Sequence, residues 1–372
     1  MILNRQRLIG ILNILSTAVG NKVMQVADYV CFRVDRENRK LFLSTTDFNA
    51  FITIDYGDLV LANLDDVPEL FLVNFRLLFA IVKASTTEDA SFTQSKNDNT
   101  IQLTTNGHYN LIRYSQPDEF PQADFGYKEI GKWAVPVIQS AWNKAAVAVS
   151  KDVTKIAYQG VCYDGNFAAS DNRRLSVALG DTKYDGDEIL LMPTFGDILR
   201  HCKNEVSVGP NDFGSMFIVV CNEIGMVASV RTIEAKFVDY RKLLSDRGAG
   251  IVITADKQEL IGAISRLLIF TDQIYKVVTI KVIRGDGAAC IELSISNKNA
   301  GAETVNATSF DFGEREASDN PIVMEAKYHV DNLMDGVSVT DSPKDVELTF
   351  QDDGKLWVQE EKFQYLLTRI QD

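Results

Sequence analysis

Histidine is scarce in this 372-residue chain: His108, His201 and His329 stand far apart, with no HxxxH or HExxH spacing. Each is expected to be an ordinary surface or half-buried histidine, and no metal site is expected. The five cysteines (Cys31, Cys162, Cys202, Cys221 and Cys290) are odd in number and form no CxxC pair. That pattern excludes a disulfide framework and a cysteine zinc site, and it fits a reducing cytoplasm. Long apolar runs are missing too, so no membrane span is expected. The apolar opening MILNRQRLIGILNILSTAV is broken by Arg5 and Arg7, and its apolar residues have helical spacing. It is expected to be a helix rather than a signal peptide, and the sequon at Asn306 is then of no consequence.

Net positive charge is also lacking. At −13 the chain as a whole repels nucleic acid and anionic membranes, so any contact with DNA has to be a local exception. Catalytic signatures are absent: there is no GxxxxGK[ST] and no GxSxG. The Gly285-Asp-Gly287 stretch runs into the strand-like IELSIS and reads as a hairpin turn. Asp352-Asp353 precedes Gly354 and reads as a turn rather than a metal site. No cofactor is expected, and the protein is not expected to be an enzyme.

What the chain has is a repeat. Helical spacing places Leu8, Ile11, Leu12, Leu15, Ala18 and Val19 on one face. A second such pattern starts near Pro136, with Ile138, Ala141, Trp142, Ala145 and Val149. A third starts near Asp256, with Leu260, Ile264, Leu267 and Leu268. Each is followed by a strand ending in a polar turn, with Asp47, Asp171 and Asn297 in equivalent places, 124 and 126 residues apart. A second helix follows in each unit, starting at Val73, Met192 and Tyr328. Hairpin-like text closes each unit: TTNGHYNLIRY, VCNEIGMVASV and FQDDGKLWVQE. The fold class is therefore α+β, three repeats of helices packed on antiparallel sheet. The domains are expected at 1–130, 131–248 and 249–372.

Positive charge is gathered in these helices. Residues 5–22 carry +3, 73–83 carry +2, 134–151 carry +2 and 191–203 carry +1, whereas 255–270 are neutral and 328–337 carry −2. Together they hold +6, leaving −19 on the remainder. Lysine and arginine are good helix formers, but so is glutamate, which these helices largely avoid. A modestly positive helical face suits sequence-independent contact with phosphates. The third repeat does not share the excess.

Within the middle repeat, Ala169 to Val177 reads ASDNRRLSV. It resembles the A-T-D-G-H-R-L-A-V stretch of bacterial DNA polymerase III β subunits, the sliding clamps. RTIEAKFVDYRKLL from Arg231 resembles that family's L-I-E-G-x-F-P-D-Y phrase, and FQYLLTRI from Phe363 resembles its C-terminal strand. The resemblance covers all three repeats in order and is most specific in the middle one. It implies a head-to-tail homodimeric ring of three clamp domains per chain, which encircles duplex DNA without sequence readout. It further implies tethering of a DNA polymerase, and engagement of a clamp loader, through short linear motifs.

Carried over by position, the peptide-motif groove comprises Tyr158, Ser170, Asn172, Arg173, Arg174, Leu175, Val238, Lys242, Leu243, Leu366, Leu367, Thr368, Arg369 and Ile370. Apolar walls would bury the motif's side chains and guanidiniums would hold its backbone. The Arg-Arg pair is not repeated at Asn49-Ala50 or Asn299-Ala300, so function is expected to explain both arginines. DNA-facing positions are expected to be Arg5, Arg7, Lys22, Arg76, Lys83, Lys144, Lys151, Arg200 and Lys203. The ring joint would set Ile269 and Phe270 against Tyr109 and Leu111 of a second copy. Asn172-Arg173 stands where the family has Gly-His, Val238 replaces a proline, and the C-terminal Met-Pro-Met is absent. A divergent, bacteriophage-encoded member in its host's cytoplasm would account for these departures. Two other readings stay open: a nucleic-acid-processing enzyme with a dispersed site, and an interaction scaffold that does not encircle DNA.

Overall fold

The computed structural model describes residues 1–20, 24–57, 64–95, 99–180, 182, 184–245, 248–271, 276–296, 300–313 and 320–371. Lys22, Asn297 and the Lys298-Asn299 turn lie outside them.

One order of elements runs three times along the chain. The first pass is β1 (Ile2–Asn4), α1 (Arg5–Leu15), β2 (Tyr29–Asp35), β3 (Lys40–Thr46), β4 (Ala50–Asp55), β5 (Leu70–Asn74), α2 (Phe75–Ala84), β6 (Asp89–Gln94), β7 (Thr100–Thr104) and β8 (His108–Ile112). The second is β9 (Gly131–Ala134), α3 (Val135–Ala146), β10 (Val161–Tyr163), β11 (Asn166–Ser170), β12 (Arg174–Leu179), β13 (Ile189–Leu191), α4 (Thr194–Leu199), β14 (Glu205–Pro210), β15 (Met216–Cys221) and β16 (Met226–Arg231). A short helix, α5 (Tyr240–Ser245), follows. The third is β17 (Gly250–Asp256), α6 (Lys257–Leu268), β18 (Val277–Arg284), β19 (Ala289–Ser296), β20 (Ala300–Asp311), β21 (Ile322–His329), α7 (Val330–Ser338), β22 (Asp345–Gln351), β23 (Leu356–Glu360) and β24 (Phe363–Leu367).

Helix starts follow from local chemistry. Asn4, Asn74 and Asp256 hold non-helical backbone, and their side chains accept from the amides of Arg7, Leu77 and Glu259. Each satisfies one of the donors that a helix start leaves free. Gly285–Gly287 is a hairpin turn, with Gly287 at φ 71°, and Gly354 closes its hairpin at φ 79°.

The described residues form two compact units, one of residues 1–139 and 191–233, the other of 140–190 and 234–372. The first holds a four-stranded sheet, β1-β6-β7-β8, and an eight-stranded sheet, β5-β2-β3-β4-β16-β15-β14-β9. The second is built on twelve strands, β13-β10-β11-β12-β24-β23-β22-β17-β20-β19-β18-β21. The described strand pairs are antiparallel. In both units a fourth strand meets the eighth strand of the next repeat: β4 pairs with β16, and β12 with β24.

The α1 residues Leu8, Ile11, Leu12 and Leu15 are buried in the first unit, where Phe32 stacks on Phe71 at 4.7 Å. In the second unit α6 buries Leu260, Ile264 and Leu267, and Trp357 is 1% exposed. Both cores are thus the helical and alternating faces that the sequence pattern marks.

Candidate functional site

The expected groove residues all lie in the second unit, in two groups. In the first, the turn between β11 and β12 is tied by its own side chains. Asp171 Oδ1 accepts from the amides of Arg173 at 2.9 Å and Arg174 at 3.1 Å. Ser170 Oγ donates to the Arg174 carbonyl and accepts from the Asn172 amide. Asn172 takes φ 76°, a left-handed conformation that asparagine tolerates better than most residues. That permissiveness lets it stand where glycine would serve.

Beside this turn runs β24. Leu175 pairs with Leu366 and Arg174 with Leu367. Beyond β24, Thr368 donates both its amide (3.0 Å) and its hydroxyl (2.8 Å) to the Arg173 carbonyl. The Ile370 amide donates to the Lys327 carbonyl, which fastens the C-terminal segment along β21. In the second group, the Tyr158 and Phe237 rings meet edge to face at 6.2 Å, beside Val238. Lys242 and Leu243 are exposed on α5.

The arginine pair divides. The Arg174 side chain is only 9% exposed, and its guanidinium reaches Asp171 at 3.0 Å, Asp335 at 2.5 Å and the Tyr365 hydroxyl at 3.5 Å. Burial opposes its charge, but Tyr365, Asp335 and Asp171 outweigh that and hold the guanidinium protonated. Arg174 is therefore a brace between β12, α7 and β24, which corrects the expectation that function accounts for both arginines. Arg173 is exposed and is the guanidinium this turn offers to a ligand. Leu175, Leu366 and Leu367 are at most 4% exposed, so they form the floor of the site more than its walls. Asp335 and Tyr365, the partners of Arg174, were not among the expected site residues. A carboxylate at residue 335 and a phenol at 365 carry no local signal of that pairing.

Among the DNA-facing candidates, Arg7, Arg76, Lys83, Lys151, Arg200 and Lys203 are exposed. Arg7 lies over the Tyr56 ring and Lys83 over the Phe79 ring, while Arg200 pairs with Asp197 at 2.9 Å. Two candidates are otherwise engaged. Lys144 is 5% exposed; its ammonium contacts Asp341 at 2.6 Å and Glu360 at 3.3 Å. It is a buried cation already paired, not a surface one. Arg5 donates to the carbonyls of Val82 and Thr87 at the C-terminal end of α2, where the helix leaves acceptors free. Lys22 lies outside the described residues.

At the expected joint, Ile269 is 79% exposed and Phe270 39%. Phe270 lies over β20, where a Cβ on Gly301 would come within 3.3 Å of its ring. Tyr109 on β8 is exposed and borders a cavity of about 380 Å³ with Ala80, Ile81 and Ala84 of α2. Leu111 is 2% exposed and belongs to the core of the first unit; its strand neighbour Ile112, at 69%, is the exposed one. This corrects the expectation for Leu111, because in β8 alternate side chains face opposite sides of the sheet. Among the described residues no group of three His, Cys, Asp or Glu side chains could hold a metal ion, and no helix is long and apolar enough to cross a membrane.

No family model matches the chain, and no curated protein matches it by sequence. Solved structures do match. The DNA polymerase III subunit beta of Pseudomonas aeruginosa superposes with a TM-score of 0.83 over 100% of this chain and 99% of that one, at 16% identity. The beta subunit of Thermotoga maritima gives 0.83 over 100% and 99%, at 14% identity. The DNA polymerase sliding clamp of Bacillus subtilis gives 0.82 over 100% and 98%, at 13% identity. The chain has the fold of these bacterial clamps.

Proposed function

We propose that this protein is a DNA polymerase processivity factor. Two copies close head to tail into a ring that encircles duplex DNA and tethers a polymerase. The reading is carried by one observation, the full-length match of the thrice-repeated fold to solved sliding clamps. The repeat lends it geometric sense. In repeats one and two the fourth strand is paired by the eighth strand of the following repeat. Among the described residues, β20, the fourth strand of repeat three, pairs with β19 over residues 300–306 and with β17 over 307–311 but meets no eighth strand, and β8 of repeat one ends its sheet. A second copy supplies each with the partner the repeat calls for. On this reading the three repeats are the domains, with boundaries near 130 and 249. Ile269 and Phe270 enter the cavity beside Tyr109 of the other copy.

Exposed Arg7, Arg76, Lys83, Lys151, Arg200 and Lys203 then make weak, sequence-independent phosphate contacts. Weak contact suits sliding, because retention is topological. The junction of β12 with β24, together with Tyr158, Val238, Lys242 and Leu243, takes short linear motifs of a polymerase and a clamp loader, with Arg173, Thr368 and Arg369 offering polar contacts. No catalytic group or cofactor is required, and the place of action is the cytoplasm, bacterial or of a phage host.

The test is retention on DNA. The protein is loaded on nicked circular DNA by its loader, and the circle is then linearised. A clamp stays on the circle and runs off the linear form. Equal retention on both overturns the reading and favours an ordinary DNA-binding enzyme or scaffold.

A further inference from the structure

The turn that carries Arg173 has a counterpart in the first unit. Thr46 to Ala50 joins β3 to β4 as Ser170 to Arg174 joins β11 to β12. Asp47 Oδ1 accepts from the amides of Asn49 at 2.9 Å and Ala50 at 2.7 Å, as Asp171 does from those of Arg173 and Arg174. Thr46 Oγ1 donates to the Ala50 carbonyl and accepts from the Phe48 amide, as Ser170 does with Arg174 and Asn172. An eighth strand runs beside each turn: Val230 pairs with Ala50 where Leu367 pairs with Arg174. The Arg231 amide meets the Asn49 carbonyl where that of Thr368 meets Arg173. Phe51 and Ser229 thus hold the places of Leu175 and Leu366.

Two adjacent cavities open on this first junction. One, of about 230 Å³, is lined by Phe48, Phe51, Pro121, Met216 and Ser229, with Asp124 at its edge. The other, of about 220 Å³, is lined by Phe42, Phe51, Phe120 and Phe125, with Arg33 at its edge. Phe51, Gln122 and Ala123 border both.

Two features here serve no purpose in the fold alone. Phe48 is held at φ 69° and is 36% exposed. A bulky side chain is strained in that conformation, which asparagine or glycine adopts more easily. Its ring is nonetheless placed in the cavity wall. Ser229 is 1% exposed, and its hydroxyl has no hydrogen-bond partner among the described residues. Buried hydroxyls are ordinarily paired.

We propose that this junction is a second docking site, and that its occupant is an extended peptide segment of a partner protein. The segment inserts two large apolar side chains, one into each cavity on either side of the Gln122-Ala123 ridge. The cavities are of side-chain size and adjacent, as alternate residues of an extended chain require. Exposed Arg33 beside the Phe120 cavity and exposed Asp124 beside the Phe48 cavity fix the charge pattern: an acidic residue at the first end and a basic one at the second. Nucleic acid fits poorly, because the site combines one arginine with one aspartate and presents no cationic row. The two junctions are unlike in chemistry, since Asn49 and Ala50 replace Arg173 and Arg174, so they select different peptides. The site lies wholly in the first unit, and the proposal stands whether or not the protein forms a ring.

The experiment uses the full chain. A random nine-residue phage-displayed peptide library is panned on it, and selected peptides are labelled with fluorescein and titrated by anisotropy. One class is expected to carry two large apolar residues with an acidic residue at one end and a basic residue at the other. That class should weaken at least tenfold with Ala123→Trp, which fills both cavities, and with Phe48→Gly, while tolerating Arg173→Ala. Phe48→Gly relieves the left-handed strain, so its melting temperature should hold or rise, and lost binding there cannot be lost folding. Three outcomes overturn the proposal: every selected peptide tolerates both changes, every one is lost with Arg173→Ala, or the site is competed by a 20-nucleotide oligonucleotide in place of peptide.

Discussion

Arg174 on β12 and Asp335 on α7 are joined by a guanidinium–carboxylate contact that spans 161 residues of sequence. The same guanidinium holds Asp171, which in turn ties the tip of the β11–β12 turn. One buried cation therefore fixes a strand, a helix and a turn, and its neighbour Arg173 is left free to meet a ligand.

The two arginines should accordingly fail in different ways. Arg174→Ala leaves Asp171 and Asp335 without their cation. Breaking a fully buried pair costs about 3–5 kcal/mol. Asp335 is 42% exposed, so about 2–3 kcal/mol is expected. Arg173→Ala should stay within about 0.5 kcal/mol of the parent, as exposed substitutions do, yet lose polymerase stimulation. Urea unfolding of both variants, with primer extension on a long template, separates them. Equal stability of the two would refute the division.

Lys144 calls for the opposite of what its sequence position suggests. Its ammonium is enclosed by Asp341 and Glu360 and lies 5.4 Å from the Phe363 ring centroid. Lys144→Met should cost about 1–3 kcal/mol, the range for leaving a buried polar group without its partner. It should leave the salt dependence of DNA association unchanged. Arg76→Glu with Lys83→Glu should do the reverse, with little loss of stability and a shallower dependence of log K on log salt. A shallower slope for Lys144→Met would return that lysine to the DNA face.

The repeat was legible because it rests on patterns local to a few turns of chain: the helical spacing of Leu8, Ile11, Leu12 and Leu15 and of Leu260, Ile264 and Leu267, the recurring polar turn at Asp47 and Asp171, and the Asp-Gly hairpin at Gly354. The strand order was not, because pairing of β12 with β24 joins segments almost 190 residues apart and leaves no mark on either alone. The site was half legible for the same reason. Turn chemistry marks Asp171 and Asn172, whereas the separate fates of Arg173 and Arg174 depend on Asp335 and Tyr365. Charge counting puts Arg5, Arg7, Arg76, Lys83 and Lys144 on helices, whereas Lys151, Arg200 and Lys203 fall just past helix ends, and it cannot tell exposed Lys83 from buried Lys144.

Acid should weaken the fold in two stages. His201 and His329 are half-buried, and loss of hydration holds both imidazoles below their ordinary 6.5. His329 Nδ1 has no partner among the described residues, so a proton there would be buried unpaired. The unfolded chain takes up these protons first, so stability is full above about pH 6.5 and falls as pH drops below it. The limit is ~1.4 kcal/mol per pH unit for each histidine. Glu303, hydrogen-bonded by Arg266, is held below its ordinary 4.5, and its contribution is lost only at lower pH. Urea midpoints at pH 7, 6 and 5 should fall for the parent and fall less for His201→Gln with His329→Gln. A parent midpoint flat from pH 7 to 5 would contradict the burial of both rings.

Ile269 offers the sharpest test of ring closure. It is 79% exposed at the end of α6, beside Phe270 and the β20 strand. A carboxylate placed there should alter the fold by no more than about 0.5 kcal/mol. At a closed joint the same carboxylate would be desolvated in an apolar cavity, at a cost of several kcal/mol. Ile269→Asp should therefore reduce the mass found by light scattering from twice 41.5 kDa to 41.5 kDa, with an unchanged urea midpoint under monomeric conditions. Retention on circular DNA should vanish with the dimer, while peptide binding at both strand junctions, each contained within one unit, should persist. A variant that keeps the parent's mass would place the contact between copies somewhere other than α6 and β8.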